Sequence, residues 1–146
     1  MVTVNLYGIP NCNNVKKARD WLNKHGVDYV FHDFKKIDVC EILLTNWLSQ
    51  VSHERLINRT SLTWRGLDQA TKLSLQDSKS NLQNTGLHSS GIQSTSLKNI
   101  HLEKNSALIK LMQTKPMVIK RPILEKNGKI VSVGFDAQHY AQICKT

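Results

Sequence analysis

Cysteine is scarce in this sequence: 146 residues carry only Cys12, Cys40 and Cys144. An odd, sparse set without regular spacing excludes a disulfide-built scaffold and leaves each thiol to packing or to chemistry. No Cys-x-x-Cys occurs, because Val15 stands where the second cysteine would be, so a local dithiol couple is excluded. The six histidines show no metal-ligand spacing with one another or with the cysteines, and no metal is expected. No apolar run approaches the ~20 residues that cross a bilayer, so no membrane partner is expected. The opening Met1-Val2-Thr3-Val4-Asn5-Leu6 lacks the basic and long apolar regions of a signal peptide, which favours the cytoplasm. Glycine-rich phosphate loops, Ser-His-Asp signatures and paired carboxylates are also missing.

Acidic residues are few as well, 11 against 20 Lys and Arg, giving a formal charge of +9. Such a balance points to anionic partners: nucleic acid, phosphate-like oxyanions or an acidic protein surface. The basic residues are scattered, and aromatic residues are not interleaved with them. Lys16-Lys17 with Arg19, and Lys35-Lys36, are the only tight early groups. A solvated basic face accounts for this distribution, and nucleic acid is not an expected partner.

What is present reads as one domain over 1–146 with a real core. Val2, Val4 and Leu6 alternate with polar neighbours, the period of a strand. Gly8-Ile9-Pro10-Asn11 breaks it. A helical stripe of Val15, Ala18, Trp21 and Leu22 follows, closed by Gly26. Val27 to Phe34 is a second β-rich run, completing a βαβ unit with parallel strands. Val39, Ile42, Leu43, Trp47 and Leu48 form another helical stripe, and 67–75 is a weaker helical segment. Residues 78–99 hold six serines, two glycines and no Asp or Glu, and are expected to form a flexible insertion.

Helical periodicity returns from 102 to 113. Asn127-Gly128 between Ile123-Leu124-Glu125-Lys126 and Lys129-Ile130-Val131-Ser132-Val133 signals a β-hairpin. Asp136 is positioned to cap a last helix reaching Cys144. The expected outcome is a thioredoxin-like α/β fold: a four-stranded mixed sheet, helices on both faces, and an inserted helical and loop region.

Two sites could carry chemistry. Cys12, with Pro10 and Asn11 before it, lies where a strand has ended and a helix begins. There, free backbone N–H groups and the dipole favour a thiolate, and Lys16 adds positive potential one turn on. Cys40, beside a core-like stripe, and Cys144, near the chain end, read as structural. Arg121-Pro122 is the second site. Proline opening a strand of such a sheet predicts a cis bond facing the reactive cysteine. Arg121 would then offer a planar guanidinium to an oxyanion or carboxylate.

The pieces Leu6-Tyr7-Gly8-Ile9-Pro10-Asn11-Cys12, Lys16-Lys17-Ala18-Arg19-Asp20-Trp21-Leu22 and Tyr29-Val30-Phe31-His32-Asp33-Phe34 resemble the ArsC/Spx/YffB family. So do Thr63-Trp64-Arg65-Gly66-Leu67, Lys120-Arg121-Pro122-Ile123-Leu124 and Val133-Gly134-Phe135, with the YffB branch nearest. The resemblance implies a glutathione-dependent thiol reductase. Cys12 is then the catalytic cysteine, with Arg121 and Arg59 as anion-contacting arginines, Lys16 nearby, and Pro122 and Asn11 shaping the site. Glutathione, or another small thiol, is the implied co-substrate, with glutaredoxin a further implied partner. Arsenate reductases of this family carry another arginine after the hairpin, and none follows Arg121 here. The alternatives are a Spx-like module docking on RNA polymerase and a family member without catalysis. Spx regulators commonly switch through Cys-x-x-Cys, and Val15 counts against that.

Overall fold

The computed structural model describes residues 2–75 and 105–144. The expected insertion at 78–99 lies outside the described residues. In chain order come β1 (Val4–Gly8), α1 (Asn13–Lys24), β2 (Val30–Asp33), α2 (Glu41–Gln50), α3 (His53–Leu56), α4 (Leu62–Arg65) and α5 (Gln69–Leu75). Helix α6 (105–114), a 3₁₀ turn at Pro116–Val118, β3 (Ile123–Lys126), β4 (Lys129–Val133) and α7 (Ala137–Ile143) complete the order.

The four strands form one sheet in the order β2-β1-β3-β4. Strand β1 runs parallel to β2, with Leu6 beside Phe31, and antiparallel to β3, with Leu6 beside Leu124. A parallel neighbour needs a crossover, which α1 supplies. The β3–β4 pair is a hairpin closed by Asn127 (φ 52) and Gly128 (φ 78). Two successive left-handed residues match the strand twist, which is why Asn-Gly is favoured there. The Asn127 side chain also accepts a hydrogen bond from Thr3 N–H at 3.0 Å, pinning the turn to the start of the chain.

Alternation divides the core into two layers. Val4, Leu6 and Leu124 point to the face covered by α1 and α7, where they pack with Ala18, Leu22 and Tyr140. Tyr7 and Ile123 point the other way, against Leu44 and Trp47 of α2, Trp64 of α4 and Leu108, Leu111 and Met112 of α6. Fully burying a Leu contributes about 1.5–3 kcal/mol, so both faces of β1 are held firmly. This mixed sheet with helices on both faces is the thioredoxin-like arrangement the sequence predicts.

Local signals explain the ends of the elements. Asp136 caps α7 as expected, its Oδ1 accepting from Gln138 N–H at 2.8 Å and His139 N–H at 3.1 Å. Two expectations need correction. Of the stripe expected around α2, Val39 and Trp47 are buried and Leu43 and Leu48 pack against the core, but Ile42 is 83% exposed and Leu44 is buried in its stead. The Trp47 indole donates to Glu125 of β3, which holds this face toward the sheet. The short helices α3 and α4 lie in a stretch where the sequence predicts no element. Each has four residues, and α4 is capped by Ser61, which accepts from Trp64 N–H at 3.1 Å.

Candidate active site at one end of the sheet

Strand β1 ends at Gly8, whose carbonyl accepts Phe34 N–H at 2.8 Å and so fixes the end of β2 beside it. A Cβ on Gly8 would stand 2.6 Å from a methyl of Val15, so only glycine lets β1 approach α1 this closely. Ile9 is buried, whereas Pro10 and Asn11 are exposed. The chain then enters α1 at Cys12, an N-cap with extended backbone (φ −105, ψ 129). The Cys12 carbonyl accepts Lys16 N–H at 2.9 Å, but its side chain makes no capping bond. The sulfur is therefore not occupied in capping. The free N–H groups of the first turn suit a negative charge arriving there. Cys12 is half-buried and Lys16 is exposed one turn along α1.

The opposing wall is the start of β3. The Arg121-Pro122 bond is cis, as expected, and Pro122 is buried. Tyr7 pairs with Ile123, so one further step of this register sets Gly8 alongside Pro122. The loop leading to Cys12 and the cis bond therefore share one end of the sheet.

Arg121 is half-buried, and its Nη1 donates to the Met117 carbonyl at 3.1 Å. Arg59 reaches the same neighbourhood by a separate route. Ile57 bridges Ile119, Asn58 N–H donates to the Val118 carbonyl at 2.7 Å, and Lys120 N–H donates to the Leu56 carbonyl at 2.8 Å. The segment leading to Arg59 is thereby clasped to the segment leading to Arg121. Arg59 is exposed, with its guanidinium 5.7 Å from the centre of the Trp64 ring. The two arginines are held differently, Arg121 by a hydrogen bond to the Met117 carbonyl and Arg59 over the Trp64 indole.

The remaining cysteines differ from each other. Cys40, expected as a packing residue, is exposed at the N-cap of α2. Cys144 is half-buried after α7, and burial pushes its thiol up, with Lys126 pulling in the opposite direction. Among the described residues no group of His, Cys, Asp and Glu is arranged to hold a metal. No described helix is long and apolar enough to cross a membrane.

Sequence reasoning missed a polar cluster behind the site. Glu125 is 4% exposed in the middle of the sheet, where its carboxylate accepts from Trp47 Nε1 at 2.9 Å and Asn5 Nδ2 at 3.2 Å. Asn5 Oδ1 meets His32 Nε2 at 3.0 Å, and the His32 ring stacks on Tyr7 at 4.5 Å between centroids. Burial lowers His32 against the pull of Glu125. Burial, with the charges of Glu125 and Cys40 behind it, pushes Tyr7 up to about 12. A charged residue inside the otherwise apolar Ile123-Leu124-Glu125 was the available signal.

Residues 88–143 match the profile of the ArsC family. An uncharacterized protein of Haemophilus influenzae is 33% identical over 140 residues, covering 96% of each chain. Among solved structures, a YffB protein is 32% identical with a TM-score of 0.70, covering 96% of this chain and 97% of that one. An arsenate reductase (ArsC) related protein from Brucella melitensis is 35% identical with a TM-score of 0.60, covering 98% and 96%.

Proposed function

Because this chain belongs to the ArsC family, we propose that it is a glutathione-dependent thiol reductase working through Cys12 alone. The observation that carries the reading is the unengaged Cys12 side chain at the start of α1, at the sheet end where Arg121-Pro122 opens β3. The Cys12 thiolate attacks one sulfur of a substrate disulfide. That S–S bond breaks, and the other sulfur departs as a thiolate that takes up a proton. A glutathione thiolate then displaces the bound substrate sulfur from Cys12. A second glutathione frees Cys12 and leaves as glutathione disulfide, so the substrate gains two electrons from two glutathiones. Arg121 and Arg59 hold a carboxylate or oxyanion of the incoming molecule, with Lys16 adding positive potential. Asn11 and Pro122 shape the two walls. The cycle needs a reducing compartment, so the proposal includes the cytoplasm, with glutaredoxin as a route for clearing the glutathionylated form.

The test is mass spectrometry of the native protein and Cys12→Ser after exposure to glutathione disulfide. One glutathione adduct on native protein, mapped to Cys12 and released by free glutathione, is expected. An adduct that persists in Cys12→Ser at the same rate overturns the assignment.

A further inference from the structure

A cavity of about 400 Å³ opens beside the Cys12 loop, lined by Pro10, Arg19, Phe31, Asp33, Lys36 and Ile37. Pro10 precedes Cys12 by two residues, and two residues of chain reach at most about 7 Å, so the edge of the cavity lies close to the Cys12 backbone. Arg19 follows Cys12 by close to two helical turns, on the same face of α1, with Lys16 between them. Its guanidinium is fixed in place: Nε donates to the Tyr29 hydroxyl at 3.3 Å, and the group lies 4.4 Å over the Phe31 ring. Its two terminal nitrogens make no hydrogen bond to any described residue. The planar donor pair is preorganised and open.

The cavity is not simply cationic. Asp33, at the end of β2, is 9% exposed and still lines it. One Asp33 oxygen accepts Lys35 N–H at 2.9 Å. The other takes no hydrogen bond from a described residue. A buried carboxylate repels a plain anion, so an oxyanion or phosphate is a poor occupant. A guanidinium and an ammonium (Lys36) sharing a cavity with a carboxylate match a zwitterion, and Phe31, Ile37 and Pro10 supply apolar wall.

We propose that this cavity binds the free α-amino-acid end of the co-substrate, the γ-glutamyl head of glutathione, with its sulfur directed to Cys12. The head's carboxylate meets Arg19 and Lys36, and its ammonium meets Asp33. The γ linkage leaves both charges free and separates them from the sulfur by a flexible arm that spans the distance from cavity to thiol. The inference rests on the glutathione reading and adds to it a subsite that selects among small thiols.

The experiment uses the full chain labelled with ¹⁵N and titrated with S-methylglutathione, which has no free thiol and forms no mixed disulfide. Amide shifts at Asn11, Arg19, Phe31 and Lys36 are expected. S-methyl-cysteinylglycine, which lacks the γ-glutamyl head, should bind about tenfold more weakly or worse, as should S-methylglutathione to Arg19→Ala or Asp33→Asn. Equal affinity of the native protein for the two ligands overturns the subsite, and this comparison needs no variant to fold. Unchanged affinity in folded Arg19→Ala overturns it as well. If the subsite fails while Cys12 still forms its glutathione adduct, the thiol reductase reading stands alone. If neither S-methylglutathione binding nor the adduct is seen, both fall.

Discussion

Gly8 of β1 and Val15 of α1 approach so closely that a Cβ on Gly8 would stand 2.6 Å from a Val15 methyl. Val15 is fully buried and cannot swing aside cheaply. Gly8→Ala is therefore expected to overpack this contact and cost about 1–3 kcal/mol. Urea unfolding measures it. Val15→Ala placed in the Gly8→Ala background should cost less than it does in the native protein. If the two costs simply add, the clash is not the mechanism.

Trp47 donates to a carboxylate in the middle of the sheet, with both groups buried. Trp47→Phe keeps an aromatic ring but removes one of the two donors that Glu125 holds. A hydrogen bond to a charged group contributes about 1.5–3 kcal/mol, and a loss of that size is expected in chemical denaturation followed by circular dichroism. The Glu125→Gln variant should lose part of the same energy, and the double variant less than the sum. Independent losses would show that the two side chains do not act as a pair.

Stability should fall at both ends of the pH scale for identifiable reasons. Burial lowers His32 in the folded state, so near and below its unfolded value of about 6.5 the unfolded chain binds more protons. Stability is full above that value and declines as pH falls toward the folded value. At the alkaline end, Tyr7 loses its proton near 10 when unfolded and at about 12 when folded. Its contribution is full below about 10 and disappears as pH rises through 12. Denaturation midpoints measured from pH 5 to 8 should fall less steeply on the acid side for His32→Gln than for native protein. Parallel curves would remove His32 from the explanation.

Arsenate should be a poor substrate. No arginine follows Arg121 in the chain. Losing one preorganised donor to a developing oxyanion typically costs about 100- to 1,000-fold in rate. A coupled assay with arsenate, glutathione and glutaredoxin should show little turnover, while glutathione disulfide exchange proceeds and weakens in Arg121→Ala. Brisk arsenate reduction dependent on Cys12 would contradict this.

What could be read from the sequence was what a few adjacent residues decide. The alternation in β1, the stripe on α1, the Asn127-Gly128 hairpin and the Asp136 cap are all local, and the structure has each of them. The cis bond before Pro122 followed from the same strand-opening proline. The stripe around α2 was readable in Val39, Leu43, Trp47 and Leu48, but the exchange of Ile42 for Leu44 was not, nor was the bond from Trp47 to Glu125, 78 residues away. The exposure of Cys40 was missed as well. The clasp between the segments that carry Arg59 and Arg121 depends on an isolated bridge between Ile57 and Ile119, which no sequence period announces. Arg19 looked like one member of a solvated basic face. Its fixed position needs Tyr29 and Phe31 on the neighbouring strand.

That isolated bridge also ties two distant stretches of chain to each other. Ile57 is bridged to Ile119, Asn58 N–H donates to the Val118 carbonyl and Lys120 N–H to the Leu56 carbonyl. The stretches that carry Arg59 and Arg121 are therefore joined by direct bonds as well as by the chain between them, and each serves as the other's anchor.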